Sequence, residues 1–529
     1  MAIEPPTSRP PSATSLPLYS GPSADAPPKF AKILDQSRCI GCHACTTACK
    51  SENDVPLSVS RTYVKSVDSG LFPEARRSFQ VNRCNMCEDA PCVNACPTSA
   101  MFQREDGIVD FDKDSCIGCK ACIAACPYDA IFINPEDHSA EKCNFCAHRL
   151  DVGLEPACVV VCPVEAIFVG DLNDPQSKVA QTVGREPVAV RRPEKETQPK
   201  VFYKGAHQST LDPLAAELPP GGIFAWAQQA PEDTHHINAG VPAGHGNTSQ
   251  AAAILSYDVP HSVPWDWRVG LYTWTKGIAA GVYVVAAALV LLGVVDAADP
   301  LWRWVTPVSG LVFLGLTGAI LVWDLDHPGR FYYIFTRPQW GSWLVRGGVI
   351  IAGYGAVLSL HLLSGILGAG GWSVALTVLG VPLAVMTAGY TAFLFAQAKA
   401  RDLWQNPLLP PHFVVQSVLG GAAFLALLQG VVPAEAVAPL GWTIAGAGLI
   451  HLLMVLGELA LPHGTAHVRL AVHNLTHGRF GRYFWTGVAL VTISVTAPWV
   501  PLGAAVVALL GLLAHEHAYV QAAQSVPLA

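Results

Sequence analysis

The chain has 529 residues, of which 51% are hydrophobic and only 14% charged, with a formal net charge of -7. That length exceeds one ordinary domain, and so apolar a composition excludes a wholly water-soluble protein and points to membrane spans. No basic stripe of the kind that tracks nucleic acid is present, so a nucleic-acid partner is not expected.

Residues 1–30 are rich in proline and serine and hold neither an apolar h-region nor a twin-arginine near the start. They read as a disordered extension rather than an export signal. The internal pairs Arg76-Arg77 and Arg191-Arg192 are followed by no apolar stretch and read as ordinary surface charge. All sixteen cysteines lie between Cys39 and Cys162, whereas almost all long apolar runs follow Trp267. Two modules are therefore expected, a cysteine-rich one over 31–205 and a membrane one over 263–520, joined by a linker or covering segment at 206–262.

The cysteines fall into four groups with none left over. They are Cys39, Cys42, Cys45 and Cys49; Cys84, Cys87, Cys92 and Cys96; Cys116, Cys119, Cys122 and Cys126; and Cys143, Cys146, Cys158 and Cys162. Proline follows the last cysteine of all but the first group. The C-x2-C-x2-C-x3-C run is a ferredoxin signature: a short loop presents three thiolates to one cubane, and the fourth cysteine ligates another. Spacings of two residues make poor disulfides. Zinc sites use paired knuckles rather than three evenly spaced thiolates and a fourth before proline. Sixteen thiolates at four per cubane give four [4Fe-4S] clusters.

From about Gly170 to His261 the chain is polar and rich in Pro, Gly and Gln, as in PEKETQPKVFYKG and GVPAGHGNTSQ. It reads as irregular chain covering the ferredoxin core, with His235-His236 as a solvated pair. Eight apolar segments follow, at about 267–293, 303–323, 343–366, 373–396, 411–431, 440–461, 483–498 and 501–517. Most approach the ~20 residues of a membrane-crossing helix, and the last two are short, separated by Pro498 and Pro501. Trp302, Trp304, Trp340, Trp343 and Trp485 mark an interfacial belt. Gly277 and Gly281 form a G-x3-G pair suited to close helix contact.

Arg268, Arg330, Arg337, Arg346, Lys399, Arg401, Arg469, Arg479 and Arg482 lie on the side facing the cysteine module, against Arg303 on the other. By the positive-inside rule the cysteine module faces the cytoplasm, giving a multi-pass protein of the cytoplasmic membrane. Ionisable groups within spans are costly and usually functional. Lys276 lies in the first span and Asp324 closes the second, either as working groups or as a structural pair. His451 and Glu458, seven apart, share one face of the sixth. His361, His515, Glu516 and His517 read as interfacial.

The stretches CIGCHACTTACKSENDVP, CNMCEDAPCVNACPTSA and CIGCKACIAACPYDAI resemble the four-cluster electron-transfer subunit of the DMSO reductase family of molybdopterin enzymes, over about residues 31–205. The resemblance implies one cluster on Cys39, Cys42, Cys45 and Cys162 and its partner on Cys143, Cys146, Cys158 and Cys49. It implies two inner clusters, on Cys84, Cys87, Cys92 and Cys126 and on Cys116, Cys119, Cys122 and Cys96. Some relatives replace a cysteine of the third motif and carry a three-iron cluster; Cys119 is kept here. WDWRVGLYTWTKGIAAG (265–281) and WDLDHPGRFYYIFTRPQWGSW (323–343) resemble the NrfD/polysulfide-reductase membrane subunit, which has about eight helices, binds quinone and carries no haem. That family more often has D-L-G-R-P where Asp324-Leu325-Asp326-His327-Pro328 stands. No haem is expected, and no C-x-x-C-H motif occurs.

The expected molecule is thus multidomain: an α+β double-ferredoxin-like iron–sulfur domain, then an all-α polytopic bundle of about eight transmembrane helices. It reads as a fusion of two subunits, passing electrons between a separate molybdenum or tungsten bis-pterin catalytic subunit and membrane quinone. No residues are assigned to catalysis on a terminal substrate. Quinone-site candidates are His261, Asp266, Lys276, Asp324, Arg330, Tyr332 and Tyr333; proton-path candidates are His451 and Glu458. Two alternatives are a redox-linked proton-translocating module and a plain membrane anchor.

Overall fold

The computed structural model describes residues 27–70, 73–218, 236–237, 241–242, 253–368 and 370–529. Most of the expected N-terminal extension, His235 and most of GVPAGHGNTSQ lie outside the described residues.

The cysteine-rich half is built on β1 (Phe30–Asp35), β2 (Thr62–Ser69), β3 (Arg76–Arg83), β4 (Ile167–Asp171), β5 (Val201–Lys204) and β6 (Ala253–Tyr257). β1 lies between an antiparallel β4, with Leu34 opposite Ile167, and a parallel β5, with Lys32 opposite Val201. Side chains on a strand alternate faces. Ala31 and Ile33 therefore pack with Val179 and Phe202, while Leu34 packs on the other side with Cys45, Cys158 and Val64. β2 and β3 form a hairpin with Thr62 opposite Arg83. β6 joins it, with Val67 opposite Leu255. The described end of the covering segment is therefore a strand of the iron–sulfur sheet rather than irregular chain.

Short helices carry the cysteines: α1 (Ala44–Glu52), α2 (Pro91–Ala95), α3 (Ala121–Ala125) and α4 (Ala157–Val160). The two C-I-G-C-x-A-C copies fold alike. Gly41 and Gly118 both sit at φ 68°, and His43 and Lys120, which precede α1 and α3, at φ 59° and 60°. Left-handed backbone of this kind curls a loop around a centre, and glycine adopts it without strain. Gly118 has a second constraint, since a Cβ there would stand 2.6 Å from Cβ of Asp326.

The membrane half contains α5 (Trp267–Leu291), α6 (Thr306–Trp323, entered through a π-turn at Leu301–Val305), α7 (Trp343–Ile366), α8 (Thr377–Gln397), α9 (Leu409–Leu427), α10 (Ala434–Ala460), α11 (Ala466–Thr476), α12 (Gly481–Ser494) and α13 (Pro501–Gln524). Seven of these segments are long and apolar enough to cross a membrane: Leu301–Trp323 taken whole, α5, α7, α8, α9, α10 and α13. The expected segment at 483–498 forms only the 14-residue α12, which packs against α13, while α13 outruns its expected end and reaches Gln524. Asp266 caps α5 by accepting from the Arg268 N–H, and Ser342 does the same for Leu344 at α7. Pro382 and Pro439 sit inside helices, as membrane bundles tolerate.

α5 is the axis, with 72% of its most apolar stretch buried. It meets α9 at Gly281 and Gly421, where a Cβ on Gly281 would stand 1.7 Å from the Ser417 carbonyl oxygen. The G-x3-G reading is met at Gly281. G281V should force the two helices apart and destabilise the bundle by ~1–3 kcal/mol. Its thermal midpoint in detergent should fall. G315A, at a position with nothing within 4 Å, should leave it unchanged.

Candidate metal centres and the membrane interface

All sixteen thiols are free. Electrostatic neighbourhoods sort them across motifs. Cys45 neighbours Cys39, Cys162 and Cys158; Cys49 neighbours Cys143, Cys146 and Cys158. Cys92 neighbours Cys84, Cys87 and Cys126, and Cys122 neighbours Cys116, Cys119 and Cys96. The structure thus brings the last cysteine of each motif beside the first three of another.

The surroundings fit an anionic metal cluster. Burial, then repulsion from neighbouring thiols, pushes Cys49 up to about 12, so this crowd does not ionise by itself. Binding of a metal displaces such protons. Cys158 behaves oppositely: burial raises it, but Arg83 and Lys32 bring it down to about 7. Arg83 Nη1 donates to Cys158 Sγ at 3.0 Å and Lys32 Nζ at 3.7 Å. Both cations are buried, and Arg83 Nε and Nη2 have no other partner among the described residues. Cluster sulfides and thiolates are the acceptors such orphaned donors lack. Backbone N–H groups of Met101, Gly118, Ala140 and Ala166 also point at sulfur, at 3.2–3.4 Å. The set of Cys96, Cys116, Cys119 and Cys122 surrounds a cavity that Ile117, Met101 and Phe111 help to line.

That same cavity is the one the membrane half holds. Asp326 N–H donates to Gly118 O at 3.4 Å and His327 N–H to Ile117 O at 3.3 Å. Arg330 donates to the Lys113 and Cys116 carbonyls at 2.9 and 3.0 Å. Trp265 Nε1 donates to Cys119 O at 3.1 Å, Ser342 Oγ to Ala95 O at 2.9 Å and Arg337 to Ser115 Oγ at 2.9 Å. Lys120 pairs with Asp326 at 3.2 Å. Ala95, Ala121, Ala124 and Ala125 share one apolar core with Phe395, Trp404 and Phe413 of the membrane half.

The quinone-site candidates separate into distinct places. Asp266 and Asp324 converge on Arg268, at 2.8 and 3.2 Å, beside the exposed pair Trp267 and Trp323. Asp324 lies just past α6; burial first, then Asp266 and Asp326, push its carboxyl up to about 6, against Lys120 and Arg268. Arg330 spans to the cysteine loop, and Tyr332 and Tyr333 stack edge-on beside Arg337. His261 lies elsewhere, held by Asp129 at 2.5 Å and Asp258 at 3.2 Å. Lys276 does not pair with Asp324. Its Nζ donates to Ala388 O at 3.0 Å and Thr391 Oγ1 at 2.5 Å, with Glu516 as an electrostatic neighbour.

His361, His515 and Glu516, expected at the membrane interface, are buried inside the protein. His361 packs against Trp302, and Glu516 accepts from Thr273. Arg191 and Arg192 are buried rather than surface charge, and Arg191 donates to Asn82 Oδ1 and Leu528 O. His451 bonds His412 at 2.8 Å, and Glu458 accepts from Asn406 at 3.2 Å; Tyr519, which contacts Glu458, and His515, which it stacks on, stand between the two. Sequence reasoning missed His412, which has no motif around it.

These features define an iron–sulfur protein joined in one chain to a multi-pass helical membrane domain. The chain belongs to the NrfD polysulphide reductase family, whose model matches residues 257–526, and carries a 4Fe-4S dicluster domain over residues 75–172. Over 196 residues it is 43% identical to a tetrathionate reductase subunit of Salmonella typhimurium, covering 36% of this chain and 78% of that one. Over 177 residues it is 45% identical to a polysulfide reductase component of Wolinella succinogenes, covering 33% and 93%. Over 223 residues it is 35% identical to the arsenate respiratory reductase iron-sulfur subunit of Shewanella sp., covering 33% and 95%. The chain is an iron–sulfur electron-transfer subunit fused to its NrfD membrane domain.

His261 gives a pH test of the junction between the halves. Burial alone would lower its pKa, but Asp258 and Asp129 outweigh that and raise it to about 10. A pKa raised above the unfolded ~6.5 contributes stability fully present below that value and lost as pH rises through about 10. H261Q should cost ~3 kcal/mol at pH 6, as for a broken buried pair. The gap in thermal midpoint from the native chain should narrow toward pH 10.

Proposed function

We propose that the chain conducts electrons through four [4Fe-4S] clusters between a separate catalytic subunit and the membrane quinone pool. The cluster ligands are Cys39, Cys42, Cys45 and Cys162; Cys143, Cys146, Cys158 and Cys49; Cys84, Cys87, Cys92 and Cys126; and Cys116, Cys119, Cys122 and Cys96. One observation carries the reading: Asp326, His327, Arg330 and Trp265 fasten directly onto the loop of Cys116, Cys119 and Cys122. A cluster on that loop is the terminus nearest the lipid, and the quinone head-group is placed beside it, against Asp266, Arg268 and Asp324. An ionisable carboxyl there supplies protons as the cluster supplies electrons.

The relatives are named as subunits of reductases for tetrathionate, polysulfide and arsenate, which supports a catalytic partner. By resemblance that partner carries a molybdenum or tungsten bis-pterin cofactor. The bias of Arg and Lys toward the iron–sulfur side supports a cytoplasmic location for the clusters.

The decisive experiment uses the full chain in lipid nanodiscs. It should hold about sixteen irons, four per cubane, and a short-chain quinol should reduce the clusters, as followed by EPR. Failure of every quinol to do so while dithionite succeeds would refute the quinone site. D324N should slow quinol-driven reduction about tenfold and flatten its pH dependence around pH 6, leaving dithionite reduction unchanged. R83M removes a buried cation from Cys158 and should lower one cluster's potential by about 60 mV, ~1.4 kcal/mol for one electron. A redox titration checks it.

A further inference from the structure

Three histidines from sequence-distant helices meet inside the membrane half: His412 on α9, His451 on α10 and His515 on α13. One ring nitrogen from each lies within 4.8 Å of the other two, and all three residues are buried. Three neutral imidazoles bring three N–H donors and three lone pairs. The one hydrogen bond among them joins His412 Nε2 and His451 Nδ1 at 2.8 Å. His451 Nε2 and His515 Nδ1 have no partner among the described residues, although both residues are more than nine-tenths buried. A purely structural core cluster would pair these atoms, because an unpaired polar atom in a lipid-embedded bundle is costly.

We infer that His412, His451 and His515 form a binding site for a borderline divalent transition-metal ion of the zinc class. Zinc takes imidazole nitrogens at ~2.0–2.1 Å in tetrahedral sites, which puts ligand nitrogens about 3.4 Å apart. The three ligand nitrogens lie within 4.8 Å of one another, so side-chain rotations that draw them to that separation close the site. The donor set is all nitrogen, which suits zinc, copper or nickel and disfavours magnesium and calcium. A fourth position is built in. A cavity beside the rings is lined by Gln416, Glu516 and Thr273 as well as His412 and His515. Gln416 Oε1 has no partner among the described residues and lines that cavity, ready to accept from a metal-bound water. The ion would pin α9, α10 and α13 together, next to Glu516.

The site is separate from the cysteine centres, so sulfur and nitrogen ligation discriminate between them. The full chain is purified in detergent with its clusters intact and equilibrated with Zn2+, and weakly bound metal is removed. Metals are counted, and zinc-edge X-ray absorption reads the ligands. The expected result is one zinc per chain with an all-nitrogen or nitrogen–oxygen shell, retained iron, and at least a tenfold loss of zinc affinity in H451Q and in H515Q. Iron content and cluster EPR should be unchanged in both. A zinc shell containing sulfur, no zinc retained by the native chain, or equal retention by folded variants would overturn the site. The histidines would then form a hydrogen-bonded relay only. Should a variant fail to assemble, the native chain's own ligand spectrum decides between nitrogen and sulfur.

Discussion

The structure depends on how one cysteine loop is held against a lipid-embedded bundle. The Cys116–Cys122 loop meets the membrane half at hydrogen-bond distance. On the loop's side the contact is made by backbone carbonyls. The carbonyls of Cys116, Ile117, Gly118 and Cys119 all accept from Arg330, His327, Asp326 and Trp265. Gly118 is what permits the approach, since any Cβ there would collide with Asp326. Carbonyls pulled toward the membrane half leave the loop's N–H groups free to face sulfur, and the Gly118 N–H does so at 3.4 Å from Cys116 Sγ. One short loop thus satisfies cluster and membrane domain with opposite faces of its peptide groups.

Charge is distributed on the same logic. Buried cations are expensive unless compensated, yet Lys32, Arg83, Lys142, Arg191 and Arg401 are all buried. Arg83 and Lys32 meet Cys158, while Lys142 donates to the carbonyls of Val109 and Cys143. Thiolate-ligated clusters are anionic, and these residues sit where that charge falls. Arg191, Arg401 and Lys65 differ in destination: they donate to the carbonyls of Leu528, of Gln524 and Val526, and of Ala529. Arg191 and Lys65 close the segment after α13 against the iron–sulfur half, and Arg401 ties the end of α13 to the connection between α8 and α9.

Legibility followed chemistry. Cysteine spacing and long apolar runs encode local geometry, so the two-module division, the ferredoxin loops and seven of the spans could be read directly. Gly281 was readable because close helix contact needs a residue without a side chain. Side-chain partners across the bundle were not. Lys276 and Glu516 stand 240 residues apart in the chain, and nothing local to either signals the other. His412 has the same defect: three single histidines on three helices make no motif until the helices pack. The 14-residue α12 misled because apolar composition continues through Pro498, where the helix has already ended at Ser494. Arg191-Arg192 misled because a charged pair looks solvated unless its buried acceptors are known.

The fusion itself has a physical consequence. The relatives match about a third of this chain and 78% and 93% of their own lengths. Joining the two halves makes their docking intramolecular, with an effective concentration set by the connector rather than by abundance. The connector's described end is not loose. β6 adds a strand to the β2–β3 hairpin before the chain enters α5 through Asp266, while the segment after α13 returns to accept from Lys65 and Arg191. Both flanks of the bundle are therefore stitched to the iron–sulfur half, and the loop at Asp324–Ser342 forms a third attachment between them. Three attachments fix orientation as well as proximity, and they frame an apolar core that Ala95, Ala121 and Ala124 share with Phe395 and Trp404.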